Sequence, residues 1–583
     1  MSLIKEYRWT FPEQTESEDS LSLQETAKRL GDELGVSPVL AEILSRRGVH
    51  TFEEARSFFR PGFSDLNDPF LMHDMDRAVE RIVRALKTRE PILIYGDYDV
   101  DGTNGTTLLW TFLKSVGGTV SYFIPDRIKD GYGLSRVGVD RAKELGVTLL
   151  ISIDCGITAI EPVRTAQSLG IDVIVCDHHQ PGEQFAEPFA LLDPLKPTCS
   201  YPFKHLSGCG VGFKLIQALC SHEMVQSRLT DDPNTVLTSY LDLVTLATTA
   251  DIVRLTGENR AMVKLGLDLI NSNPRPGIRA LIDTAGLKPG KITAGQIVFV
   301  LAPRINAVGR LGNAMRAVEL LTSDSFEQAL ELARVAEEEN RNRRKIDEDT
   351  FLEAQQLVEN YLDVEQESAI VLHQETWHPG VIGIVASRLV EKYYKPTVMM
   401  TTIDGVAKGS ARSVSGFDIY QALKRCEDTL IQFGGHKYAA GLSVEVSRVN
   451  EFKDAFNAVV SELLTENLRT PEIKIDAELN LKELTPKFVR ILNQFAPFGP
   501  GNMRPVFVTR NMELVGTPRI VGQKHLKFKV RANGQIFDTI GFNLAHLLEK
   551  VTPGRKDLAL AFSLDESDFS GEAIPQLKLR DIK

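Results

Sequence analysis

Cysteine is scarce in these 583 residues: Cys155, Cys176, Cys199, Cys209, Cys220 and Cys426 are the full set of six, and no two form a CxxC pair. So few exclude a disulfide scaffold and leave no structural-zinc pattern. Cys155 and Cys176, beside acids at the ends of apolar runs, read as small buried packing residues. No apolar run approaches the about 20 residues that a membrane helix needs. The start, MSLIKEYRWTFPEQ, has no apolar stretch behind a basic one and is not a signal peptide. A soluble, cytoplasmic protein without a membrane partner is expected. There is no long repeat and no low-complexity tract. Positive charge is also in deficit: 67 Lys and Arg face 78 Asp and Glu, for a net charge of −11. That excludes coating nucleic acid by bulk charge, though not holding it in a local basic groove. What is present is ordinary globular material, 43% hydrophobic and 25% charged. The length implies about four domains and is too great for one core.

The first 70 residues carry apolar residues at helical spacing in LSLQETAKRLGDELG and SPVLAEILSRRG, and predict a helical lead-in (1–70). From about residue 71 short apolar runs alternate with amphipathic helices. PILIYGD, TVSYFIPD, TLLISID, DVIVCDHH and ALLDP read as strands, and the spacing predicts βαβ units around a parallel sheet. Residues 208–350 look mostly helical. SFEQALELARVAEEENRNRRKIDEDTFLEAQQLVENYL, without Gly or Pro, predicts one long charged helix, either a bridge between domains or a solvated surface helix. A second α/β unit follows, with AIVLH and KPTVMMTTID as strands around the helix GVIGIVASRLVEKYY. The last hundred residues break into short β-rich runs that suggest a small barrel or sandwich.

The sharpest chemical signal is GDYDVDG, directly after the strand PILIY. Asp97, Asp99 and Asp101 alternate within a strand-to-helix turn. Three carboxylates so close repel unless a cation neutralises them, so the turn reads either as a metal cradle or as a solvated acidic turn. Two repetitions favour the cradle. Asp154 ends the strand LLISI, and Asp177, His178 and His179 end the strand DVIVC. In an open parallel sheet the ligand crevice lies beyond the carboxyl ends of the strands, so these groups converge in space. Mixed Asp oxygen and His nitrogen suits Mn²⁺, with Mg²⁺ as the alternative. Asp251, closing LVTLATTADIV, is by itself an unremarkable helix-end acid. Two metals about 3.5–4 Å apart can activate a water and clamp a leaving oxygen in phosphoryl transfer, and Asp154 is the candidate bridge.

The set Asp99/Asp101, Asp154, Asp177-His178-His179 and Asp251 resembles the DHH phosphoesterase superfamily. The likeness runs through residues 91–445 and beyond, in YGDYDVDG, PDRIKDGYGLS, SIDCG, CDHH, SGCGVGFKL, TADIVRLTGENR, APRINAVGRLG, WHPGVIGIVASRL, GSARSVSGFDIYQAL, FGGHKYAAGL and APFGPGNMRPVF. It is nearest to the branch that degrades single-stranded DNA. The resemblance implies a DHH catalytic domain (71–335), a connecting helix (336–362), a DHHA1 substrate-binding domain (363–465) and an OB-fold-like nucleic-acid-binding domain (466–583). It implies that Asp99, Asp101, Asp154, His178 and Asp251 ligate two ions, with Asp97 either a ligand or an outer acid. His179 would contact the scissile phosphate and Asp177 would orient the imidazoles.

Arg127 and Lys129 lie in a glycine-flanked loop and are either phosphate contacts or plain surface. Arg304, Asn306 and Arg310 in APRINAVGR suit phosphate oxygens, or else pair with nearby acids inside the fold. In the DHHA1-like unit, Ser410, Arg412, Gly434, Gly435 and His436 combine a charge, a hydroxyl and open backbone N–H groups. The resemblance implies that they hold the 5′ end of a strand. SGCGVGFK lacks the spacing of a nucleotide-binding loop, so it reads as a helix packed closely on the sheet and an ATPase is rejected. Lys524, His525, Lys527, Phe528 and Arg531 in QKHLKFKVRANG are the candidate barrel surface, with Phe528 either a stacking platform or core. The function implied is 5′→3′ hydrolysis of single-stranded DNA in recombination and repair, with strand selection in a channel too narrow for duplex. Single-strand-binding protein and a helicase are the expected partners. The rivals are a phosphodiesterase acting on cyclic dinucleotides, which would not need the barrel, and a binding scaffold with a dead site, which the intact acids argue against.

Overall fold

The computed structural model describes residues 6–12, 18–126, 133–311, 313–532, 534–567 and 574–583. The chain divides into two compact units, Ser22–Asn340 with Arg490–Arg504, and Met1–Leu21 with Arg341–Val489 and Pro505–Lys583.

In the first unit the predicted strands form a five-stranded parallel sheet. Its order is Thr119–Phe123, Pro91–Gly96, Leu149–Ile153, Asp172–Cys176, Ala190–Leu192. Both faces are covered, which explains why the strands read as unbroken apolar runs. Alternation divides them: Ile92, Ile94, Leu149, Ile151 and Ile153 join one core, and Leu93, Tyr95, Leu150, Val173 and Val175 the other. Helices Met75–Thr88, Val100–Ser115 and Gly208–Cys220 contribute to the first core, and Arg136–Glu144 and Ile160–Ser168 to the second. The chain leaves Pro91–Gly96 for the edge strand Thr119–Phe123, then returns past it to Leu149–Ile153. The topological switch point therefore lies between the strands that end at Asp97 and Asp154.

Two segments depart from a division made along the sequence. Arg8–Thr10, expected within a helical lead-in, is a strand paired in parallel with Glu472–Lys474. The Trp9 indole donates to Asp581 at 2.8 Å. Conversely, Arg490–Arg504, which carries APFGPGN, belongs to the metal-bearing unit and not to the barrel. Arg260, only 4% exposed, donates to the carbonyls of Phe495 (2.8 Å), Ala496 (3.0 Å), Pro497 (3.3 Å) and Gln494 (3.4 Å). Its guanidinium lies 3.7 Å from the Phe58 ring centroid. Burial lowers its pKa to about 9.

The long charged stretch is a helix, Phe326–Tyr361. In the second unit a five-stranded mixed sheet runs Gln432–His436, Ala439–Glu445, Val406–Arg412, Thr397–Ile403, Ile370–His373. Helix Ile382–Tyr393 packs against Thr397–Ile403 and Val406–Arg412. At the C-terminus, Phe507–Val521, His525–Ala532, Gln535–Gly541, Ile574–Ile582 and Leu558–Ser567 pair in that order. Leu558–Ser567 then closes back on Phe507–Val521, a barrel consistent with an OB fold. All six cysteines are free and buried, as expected of packing residues.

Candidate metal centre and phosphate-binding face

The acids flagged at the strand ends meet at the switch point. Asp99 caps helix Val100–Ser115, its Oδ1 accepting from the N–H groups of Asp101 (2.9 Å) and Gly102 (3.1 Å). Asp101 is held from elsewhere. Its Oδ2 accepts from Gly208 N at 2.6 Å and its Oδ1 from Cys209 N at 2.9 Å, at the N-terminus of helix Gly208–Cys220. The helix sits so near that a Cβ on Gly208 would lie 2.7 Å from Asp154 Cα. SGCGVGFK thus packs closely, as expected, and also binds an acid of the centre, which its sequence did not announce. Asp154 has φ +61°, an uncommon conformation for a non-glycine residue, and its N–H donates to Cys176 O at 2.9 Å.

His178 Nε2 faces three carboxylates, with Asp154 Oδ1 at 3.2 Å, Asp251 Oδ2 at 3.6 Å and Asp101 Oδ2 at 3.7 Å. Three ligand sets form within 4.8 Å: Asp97/Asp99/Asp154, Asp101/His178/Asp251 and Asp154/His178/His179. Asp97, left open by the sequence, therefore lies among the potential ligands. Asp251, unremarkable in the sequence, is brought in by the end of helix Leu241–Ala250. The next residue, Ile252, is 63% exposed at φ +60°, a strained state for a β-branched side chain.

Burial, and then the mutual repulsion of the carboxylates, pushes Asp154 and Asp251 well above the usual carboxylate range. Burial and the charge of Asp99 push Asp101 up to about 7, against the pull of its backbone N–H partners. Such acids gain from a divalent cation, and the Asp-rich, His-containing donor set fits Mn²⁺ or Mg²⁺. Asp177 behaves differently. Burial alone would raise it, but His179 Nδ1 at 2.7 Å and the N–H groups of Ile157 (2.9 Å), His178 (2.8 Å) and His179 (3.2 Å) hold it low. Burial would lower His179, but its bond to Asp177 and the surrounding acids raise it to about 9. Asp177 therefore holds the His179 imidazole through Nδ1 and the backbone of His178.

The sequence reading missed Asp193. It follows the strand Ala190–Leu192 just as Asp97, Asp154 and Asp177 follow theirs, a signal that was present in ALLDP. Fully buried, its carboxyl is raised to about 7 by burial and by Asp177.

The basic candidates divide. Arg127 and Lys129 lie outside the described residues, as does the side chain of Arg310. Arg304 and Asn306 are turned inward. Arg304, 4% exposed, pairs with Glu337 at 2.6 Å, and Asn306 Oδ1 accepts from Val100 N at 3.1 Å. Asn306 thus braces the metal turn, and Arg304 pairs with Glu337 inside the fold, so the internal-pairing alternative describes Arg304 best.

Four of the five residues named in the second unit come together on one face. Ser410 registers with Gly441, and Gly441 with Gly434; Arg412 registers with Ala439, and Ala439 with His436. Two alternate rungs thus place Ser410, Arg412, Gly434 and His436 on one face, with Gly435 on the rung between them, because registered residues and alternate residues share a side. Arg412 Nη1 donates to Ser410 Oγ at 2.8 Å. A Cβ added to Gly434 or Gly441 would meet nothing within 4 Å, so this face is open.

On the barrel, Phe528 is 3% exposed and is core, since strand His525–Ala532 turns residues 526, 528, 530 and 532 inward. His525, Lys527 and Arg531 lie on its outer side, and Lys524 is exposed. Among the described barrel residues an exposed aromatic is Phe542, with the His525 ring at 5.2 Å and Lys578 Nζ at 5.2 Å from its centroid. Sequence reading overlooked Phe542 because it lies just past the end of its strand.

A parallel sheet carrying acids and a His pair at its switch point, followed by an α/β domain and a barrel, defines a metal-dependent phosphoesterase of the DHH class. Family models match in that order: the DHH family N-terminal domain over residues 91–248, the DHHA1 domain over 366–462 and the RecJ OB domain over 475–581. The single-stranded-DNA-specific exonuclease RecJ of Bacillus subtilis is 36% identical over 562 residues, covering 96% of this chain and 69% of that protein. RecJ of Escherichia coli is 34% identical over 561 residues, covering 94% and 96%. RecJ of Thermus thermophilus in complex with Mn²⁺ superposes with a TM-score of 0.81 at 28% identity, covering 99% of this chain and 79% of that one. The Mg²⁺ complex superposes at 0.76 and 26% identity, covering 99% and 78%. The chain belongs to the RecJ family, and is a metal-dependent nuclease.

Proposed function

We propose that the chain hydrolyses single-stranded DNA from its 5′ end, using two divalent ions, in DNA recombination and repair. The observation that carries the reading is the sharing of Asp154 between ligand sets. Asp154 belongs to both Asp97/Asp99/Asp154 and Asp154/His178/His179, and His178 also joins Asp101 and Asp251 in the third set. One set would hold each ion, Mn²⁺ or alternatively Mg²⁺, with Asp154 between them. When bound, the ions supply Lewis acidity and a nucleophile available at neutral pH. The chain's own groups do the rest. Asp177 orients the histidines, and His179, positively charged through its bond to Asp177, faces a phosphate oxygen with Nε2–H. The N-terminus of helix Gly208–Cys220 fixes Asp101 so that it need not reorganise during reaction.

Arg412, Ser410, His436 and the backbone around Gly434 and Gly435 would hold the phosphate at the 5′ end. Arg127, Lys129, Arg304, Asn306 and Arg310 contribute to the strand path or brace it. The barrel tracks the strand further on, which a phosphodiesterase for cyclic dinucleotides would not require. A helicase that exposes 5′-ended strands and a single-strand-binding protein are the partners such an activity calls for, in the cytoplasm. The test uses single-stranded oligonucleotides labelled separately at each end, with Mn²⁺ or Mg²⁺. Early release of the 5′-end label as mononucleotide supports the direction, whereas early release of the 3′-end label reverses it. Metal counting by equilibrium dialysis reads two ions per chain, and one in Asp154→Ala.

A further inference from the structure

Phe299 is 77% exposed, although the turn that carries it is otherwise well anchored. It lies in Ile297–Leu301, a π-helical turn leading into helix Ala302–Leu311. Such turns are rare, because the extra residue weakens backbone hydrogen bonding, and they concentrate at functional sites. Ile297 and Leu301 on either side of Phe299 are fully buried. The turn packs against helix Leu241–Ala250, which delivers Asp251 to the metal centre.

The same segment is bolted to the metal turn. Arg304 Nη1 donates to Val300 O at 2.5 Å, and its guanidinium pairs with Glu337 at 2.6 Å. Asn306 accepts from Val100 N at 3.1 Å, and a Cβ on Gly309 would lie 2.5 Å from Tyr98 O. At about 1.5 Å of rise per residue, Phe299 is about 10 Å along the helix from the Asn306 anchor. That is about three nucleotides at the roughly 3.4 Å spacing of stacked bases. An aromatic ring exposed to water, yet fixed in relation to the residues that hold the metal, is suited to receive a flat apolar partner.

We propose that Phe299 is a stacking platform for a nucleobase of the bound strand, a few nucleotides from the bond that is cut. The proposal rests on the single-strand exonuclease reading. Stacking uses the π face that every base has, so the platform grips the strand without reading its sequence. It would hold the strand in register between successive cuts, and its loss would weaken binding more than chemistry.

The test compares Phe299→Ala and Phe299→Trp with the parent protein, in Mn²⁺. On a long single strand, Phe299→Ala is expected to raise KM about tenfold with kcat within about twofold, the loss of one stacked base. Phe299→Trp keeps the parent KM, and its added indole emission is quenched by a phosphorothioate-linked oligothymidylate that resists cleavage. The parent, whose own tryptophans are Trp9, Trp110 and Trp377, supplies the fluorescence baseline. An unchanged KM in Phe299→Ala, or unquenched emission in a Phe299→Trp protein that binds the oligonucleotide, overturns the assignment and leaves the exonuclease reading intact. If the parent protein binds no single strand at all, the exonuclease reading falls and this assignment with it.

Discussion

The metal edge of the parallel sheet and the proposed phosphate face of the mixed sheet are built from opposite materials. At the first, Asp97, Asp101 and Asp154 are almost wholly buried, and burial with like charge pushes Asp101 and Asp154 upward. At the second, one Arg, one Ser, one His and bare backbone lie on two rungs of a sheet, with Gly434 and His436 exposed and Ser410 and Arg412 half-buried. The first is unfavourable until a cation arrives. The second is ready as folded, because Arg412 is already braced by Ser410 and by the Ala411 carbonyl at 2.8 Å. If the proposed roles hold, chemistry and grip reside in separate sites, and each should be breakable without the other.

The largest effect should come from Asp154→Ala. Cleavage of a labelled single strand is expected to fall at least about 1,000-fold, with strand affinity within about twofold in a filter-binding assay. Parent-like cleavage would erase the distinction between the two sites. Next is the response to chelation and pH. In metal-free protein, Asp101 takes up a proton at about 7 when folded but only near 3.8 when unfolded. The folded form therefore holds more protons between those values, so its stability falls as pH rises through that window. Mn²⁺ competes with protons for the same oxygens and reverses the trend. The gain in thermal midpoint on adding Mn²⁺ should grow from about pH 5 to about pH 8 and reach several degrees. A gain independent of pH would mean that the buried acids do not bind the ion.

Smaller is Arg412→Ala. The KM for a 5′-phosphorylated strand should rise about 10- to 100-fold, the worth of charge-assisted hydrogen bonds. The KM for a 5′-hydroxyl strand should change much less, which a purely structural role for Arg412 would not produce. Smallest is Phe542→Ala on the barrel, expected to weaken binding of a long strand about fivefold, read by fluorescence anisotropy, without altering cleavage of a very short one.

Most of the metal edge was legible because its grammar is local. An apolar strand followed at once by an acid repeats at Asp97, Asp154 and Asp177, and parallel sheets bring such ends together. Asp251 was legible only through resemblance, since an acid after a helix carries no such grammar. The support around these acids was not legible. Gly208 and Cys209 reach Asp101 across more than a hundred residues of sequence. Arg304 and Asn306 gave the residue types of a phosphate site but are turned toward Glu337 and Val100. Residue type states what a side chain can bind, and packing decides which way it points. The same limit applied on the barrel, where strand alternation sent Phe528 inward and left Phe542 outside.

The excursion of Arg490–Arg504 into the metal-bearing unit has a consequence for how the protein is made. The Arg260 guanidinium is buried against carbonyls supplied by residues 494–497. A ribosome completes Arg260 long before those carbonyls exist. The intervening residues take on the order of ten seconds or more to synthesise. Through that interval the Arg260 guanidinium has the Phe58 carbonyl (3.1 Å) and ring but lacks the four carbonyls of residues 494–497. Only when translation is nearly finished can the unit close. The mixed sheet, whose strands lie within Ile370–Glu445, is therefore made before Arg260 can meet these acceptors, whereas the barrel strands from Phe507 onward follow them.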